Sequence, residues 1–283
     1  MDRRPILDHM RGNTDLERAL GRARGADGGF GPRPGTAAEP EPTALAAIAL
    51  ADAGAADWLA AHQAADGSVG MRLGPVWNDS ATALAAFALS GGAQQRALDH
   101  VVTAQGRVTS DSPIVPHVGS LRGWAWTAGT AGWVEPTSRA VLALRTLRPS
   151  APQITDGVGY LLDRECVDGG WNYGNRSVYG EDLPPYAQTT AVAMLALHPE
   201  DGPAFEQGLA ALRTLWPKER HGGLSLSMTL AVATATGDPM AGDVSTALFS
   251  LFDRTGFIGD TVALAWGAIA TGPGLHVLLG GLA

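Results

Sequence analysis

A chain of 283 residues, 45% hydrophobic and with a formal charge of −8, is long enough for one large core or for two ordinary domains. Its Lys and Arg residues are scattered, so there is no basic stripe on which a nucleic acid would dock. The single cysteine, Cys166, excludes an internal disulfide framework and a multi-cysteine zinc site, and suits a reducing compartment.

In chain order, the start MDRRPILDHMRGNTDLERAL has no long apolar run, so no secretory leader is expected. Asn13 and Thr14 are placed to cap a helix reaching about Arg24, with Leu16, Ala19 and Leu20 on one side. A glycine turn at Asp27 to Phe30 and a proline-rich loop then lead to an apolar helix from Thr43 to Ala51. Asp52 to Gln63 is expected as a second, peripheral helix. Ser80 to Leu89 is apolar again, with Gly91 and Gly92 as its stop, and Gln94 to Ala104 is amphipathic. Gly106 to Leu121 has no helical period and contains Pro113 and Pro116, which predicts a loop.

Pro136 to Leu147, Ile154 to Glu165, Ala187 to Leu197, Phe205 to Leu215, Leu226 to Thr236, Val244 to Arg254 and Thr261 to Ala270 complete the helices. The apolar tail from Phe257 is broken by Asp260 and by Gly272, Pro273 and Gly274, so no membrane span is expected. A soluble, cytoplasmic protein is the resulting expectation.

One plan recurs along the chain. A glycine turn ending in a large apolar residue precedes a loop, and the loop delivers a threonine near the start of an apolar helix. Phe30 stands as far ahead of Thr43 as Val69 of Thr82 and Trp124 of Thr137, and Trp171 leads through a longer insert to Thr190. Shorter copies run from Leu224 to Thr229 and from Phe257 to Thr261. Six such units read as a repeat architecture. Uniformly apolar helices must be buried on most sides and striped ones on a single side, which predicts an all-α fold: one α/α toroid over 1–283, with six inner and six outer helices.

The turns Asp27 to Phe30 and Asp168 to Trp171, with the apolar helices after each threonine, resemble the repeats of the prenyltransferase and squalene cyclase superfamily. That resemblance implies a toroid, and in its cyclases an Asp two positions before such a threonine protonates the polyene. Glu135 and Glu41 stand at that spacing, but Glu replaces Asp and no DxDD is present. The protein prenyltransferase alternative needs a zinc site, and the matching positions Glu135, Thr137 and Asp260 supply neither thiolate nor imidazole. No metal and no organic cofactor is therefore implied.

The candidate catalytic residues are Glu135, Glu41, Asp260 and Asp79; capping of a helix start is the competing role for each. The candidate substrate-binding residues are Trp77, Trp126, Trp133, Tyr173, Tyr186 and Gln188, whose π faces or amide would line a cavity. Trp171 and Phe30 are expected as plugs within the turns, His117 at a rim and Cys166 as a small buried hydrophobe.

Three functions stay open at this level. The first is an isoprenoid-handling enzyme of the class II, protonation-initiated terpene cyclase type. The second is a non-catalytic toroid that holds a prenyl chain or a protein segment, and the third a carbohydrate-active enzyme with paired carboxylates. The expected partner is a linear isoprenoid or another apolar small molecule, with no nucleic acid, and with peripheral membrane contact and a partner subunit left open.

Overall fold

The computed structural model describes residues 4–73, 76–199, 202–256 and 258–281, the side chains of 4–12 and 72–73 excepted. Among them are thirteen α-helices and two short antiparallel hairpins, so the chain is all-α. Six helices are buried along almost their whole length: α2 (Pro40–Leu50), α4 (Thr82–Ala88), α6 (Val134–Leu147), α8 (Ala187–Leu197), α10 (Gly223–Thr236) and α12 (Thr261–Thr271). They alternate with α1 (Arg4–Gly21), α3 (Ala53–Ala61), α5 (Gly91–Thr103), α7 (Gln153–Asp163), α9 (Pro203–Leu215) and α11 (Met240–Thr255).

The alternating set buries single stripes at helical spacing. Met240, Val244, Leu248 and Leu251 form that of α11, and Gly157, Tyr160 and Leu161 that of α7. A short α13 (Gly274–Leu279) follows α12. No helix among the described residues is long and apolar enough to cross a membrane.

The chain divides into two compact units. In the unit of 1–62 and 216–283, α12 packs between α10 and α2, with α1 also on α12, α11 on α10 and α3 on α2. The last buried helix thus returns to the first: Thr271 Oγ1 donates to Asn13 Oδ1 at 2.9 Å, and the Thr261 N–H to the Pro32 carbonyl at 2.9 Å. In the unit of 63–215, α6 packs against α4 and α8, with α5 on α4, α7 on α6 and α9 on α8. This unit also holds the hairpins β1 (Met71–Leu73) with β2 (Val76–Asn78), and β3 (Ser177–Val178) with β4 (Glu181–Asp182).

Several helix ends differ from the sequence expectation. Asn13 and Thr14 lie inside α1 instead of capping it, and Asn13 spends its amide on Glu17, one turn on, at 2.9 Å. Gly91 and Gly92 open α5 where they were expected to end α4. α2 begins three residues and α6 two residues earlier than expected, so Pro42 and Pro136 are third in their helices. Proline is tolerated there because first-turn N–H groups have no intrahelical acceptor. Most consequentially, α10 begins at Gly223, absorbing the turn expected at His221 to Leu224.

Candidate functional site

The repeat is a hydrogen-bonded device. In four units the threonine hydroxyl accepts from the N–H of the turn residue and donates to its carbonyl. Thr43 does so with Phe30 (2.9 and 3.2 Å), Thr82 with Val69 (2.9 and 3.2 Å), Thr137 with Trp124 (2.8 and 3.4 Å) and Thr190 with Trp171 (2.9 and 3.2 Å). The first three pairs are 13 residues apart and the last 19. Each bridge is buried, so it satisfies two backbone groups that water cannot reach.

The turns themselves are alike. Gly25, Ala64 and Cys166 donate their N–H groups to the carbonyls of Gly29, Ser68 and Gly170 (2.7, 2.8 and 2.8 Å). Gly28, Gly67 and Gly169 take φ of 83 to 90°, a left-handed conformation that favours glycine. Trp124 and Trp171 donate their indole N–H groups to the carbonyls of Val101 and Leu161, both at 2.7 Å, tying turns to striped helices. Trp171 and Phe30 are fully buried, as turn plugs would be.

This frame fixes what each helix start presents. The N-cap residues Glu39, Trp133 and Tyr186 are equivalent. Their N–H groups donate to the carbonyls of Phe30, Trp124 and Trp171 (2.9, 2.8 and 3.0 Å). Their own carbonyls accept from Thr43, Thr137 and Thr190 (3.1, 3.1 and 3.0 Å). Two residues on, Glu41, Glu135 and Gln188 form a second equivalent set.

In the 63–215 unit two of the aromatic candidates, Tyr173 and Tyr186, stand together. Trp133 and Tyr186 are 41% and 42% exposed, and the Tyr173 ring lies 5.4 Å from that of Tyr186. Tyr173 is joined to the α6 start by its carbonyl, which accepts from the Val134 N–H at 3.1 Å.

Glu135 is buried and accepts from Arg139 Nη2 at 2.6 Å, with both side chains nearly closed to solvent. The Arg139 guanidinium lies over Trp126, 5.5 Å from the ring centre. A guanidinium this close favours the carboxylate over the carboxylic acid, which opposes a general-acid role. Asp79 does not cap α4; it meets His100 Nε2 at 2.8 Å, with Asp66 3.6 Å from Nδ1. Burial pulls the His100 imidazole down, but the hydrogen bond and charge of Asp79 and the charge of Asp66 outweigh it, leaving the group raised. The hollow beside this pair, about 20 Å³, suits a single water.

Asp260 does cap α12, accepting from the Ala263 N–H at 2.8 Å. Trp77 lies in β2 and donates to Ser68 Oγ at 3.2 Å. Gln188 is half-buried in the first turn of α8, and Glu41 half-buried in that of α2. The neighbouring Glu39 is held above the usual carboxylate range by burial and then by the charge of Glu41. Burial pushes the Cys166 thiol up to about 11, so it is no nucleophile at neutral pH.

A cavity of about 180 Å³ opens between the 106–121 loop, the α6 start and α7, and Trp133, Tyr160, Arg107, His117 and Arg164 line it. Tyr160 donates to the Gly132 carbonyl at 2.6 Å, and the Arg164 guanidinium lies 4.3 Å from its ring centre.

Sequence reasoning missed Arg139, His100, Glu39 and this cavity. Arg139 was findable, four residues after Glu135 on one helix face. His100 was not, because only folding brings it to Asp79. The turn residue Phe257 lies outside the described residues.

No family model and no curated protein matches the chain. A solved structure, a protein from Actinoplanes, shares its fold: the TM-score is 0.61 at 15% identity, over 95% of this chain and 99% of that one.

Proposed function

We propose that the chain is an α/α toroid of the terpenoid cyclase type that holds an isoprenoid-like apolar chain without transforming it. The toroid reading draws support from the return of α12 onto α1 and α2, since an open solenoid keeps its end repeats apart. The observation that carries the binding role is the contrast at the start of α6. Trp133 there is open, and the next residue, Val134, bonds through its N–H to the carbonyl of Tyr173, whose ring pairs with that of Tyr186, whereas Glu135 is spent on Arg139. An aromatic surface without a proton donor suits binding an unsaturated chain and not igniting it.

The second reading, a class II cyclase, is favoured by Glu39, whose raised carboxyl retains a proton more readily than a free one would. In that case Glu39 and not Glu135 is the acid. The test is incubation with farnesol, geranylgeraniol and squalene, following tryptophan fluorescence and extracted products. The binding reading expects saturable quenching, weakened in Trp133→Ala, with no cyclic product. A cyclic product that disappears in Glu39→Gln would replace it with the cyclase reading, and no quenching by any of the three would remove both.

A further inference from the structure

Two guanidiniums, an imidazole and a side-chain amide meet at the cavity between the 106–121 loop, the α6 start and α7. Arg107, Arg164, His117 and Asn175 line it together with the rings of Trp133 and Tyr160, and no carboxylate is among its lining residues. That is unusual ground in a chain of formal charge −8. Arg107 is exposed and has no ion pair among the described residues; Arg164 is buried on the face of Tyr160 and is paired with Asp163. His117 Nε2 is 2.9 Å from Thr109 Oγ1, while its Nδ1 is closed to solvent and has no partner among the described residues. Hydrogen-bonding capacity at this wall is therefore unspent.

We infer that this cavity is a binding site for a small phosphate-type oxyanion, held by Arg107 and Arg164 with Asn175 and His117 beside it. Guanidiniums are suited to this, since they present fixed forks of N–H donors to tetrahedral and planar oxyanions. The space, on the order of six water volumes, accommodates one phosphate or diphosphate group and little more. The Trp133 and Tyr160 rings would cover any apolar portion attached to it. This inference does not rest on the isoprenoid reading, whose test uses uncharged chains.

The experiment is titration of the full chain with inorganic phosphate, diphosphate and acetate at low ionic strength, by calorimetry and by NMR of the His117 imidazole. The expected result is one saturable site for phosphate or diphosphate, weakened roughly tenfold or more in Arg107→Glu. Arg107 is exposed, so the variant should fold as the wild type does. Burial and the charge of Arg164 hold the His117 imidazole low, against Asp111, and an anion in the cavity should raise it. No saturable binding, binding unchanged in Arg107→Glu, or acetate binding as tightly as phosphate would each overturn the proposal.

Discussion

Four helix openings carry the threonine bridge and two do not, although a threonine stands at all six. In the bridged openings 13 or 19 residues separate turn and threonine, enough chain for the loop to double back and lay the turn residue beside the hydroxyl. Thr229 follows Leu224 by five residues, with both inside α10, and Thr261 follows Phe257 by four. Neither span can fold back on itself. The hydroxyls of Thr229 and Thr261 are accordingly buried without a hydrogen-bond partner among the described residues. Loop length, and not residue type, decides whether this threonine is a cross-link or a filler.

Substitutions should separate the two kinds of opening. The largest effect is expected from Trp171→Ala, which empties a fully buried indole site and removes the bond to Leu161; a loss of about 4 kcal/mol in urea unfolding is expected. Glu135→Gln leaves the buried Arg139 guanidinium without its charge partner at 2.6 Å and should cost roughly 3 kcal/mol. A stability equal to wild type would mean that the pair is not formed in solution.

Thr137→Val keeps the shape but strands the Trp124 N–H, for about 2 kcal/mol. Thr190→Val strands the Trp171 N–H in the same way and should cost about as much, because Thr189 Oγ1, which donates to the Trp171 carbonyl at 2.6 Å, covers only the acceptor.

A smaller effect separates pH values. His100 is raised above its ordinary 6.5 in the folded chain, so it stabilises fully below that value, and its contribution is lost as pH rises through the folded value. The melting temperature should therefore fall more between about pH 6 and pH 8 in the wild type than in His100→Gln; parallel profiles would contradict the contact with Asp79. Smallest of all, Thr229→Val should be neutral or slightly stabilising, since it removes an unpartnered hydroxyl. A loss as large as that of Thr137→Val would erase the distinction between the openings.

Much of this was legible in the sequence. Leu16, Ala19 and Leu20, which their spacing puts on one side of α1, are all buried, and the bounds expected for α8 match its own, because helical periodicity is written in neighbouring residues. The equal spacing of Phe30 to Thr43 and Trp124 to Thr137 pointed to a common device before any hydrogen bond was known. The candidate site was less legible. The Tyr173 and Tyr186 rings do meet, but Glu135 is an ion-pair partner, Asp79 faces His100, and Asp260 is a cap.

By itself the sequence determined the all-helical class, the alternation of fully and partly buried helices and the recurring turn, since each follows from local pattern and short-range geometry. Only the tertiary structure decided which carboxylates are paired, which aromatic rings stay open and where Arg107, His117 and Arg164 meet. Those outcomes depend on contacts between residues far apart in the chain, where burial and charge act through distances that no local spacing records.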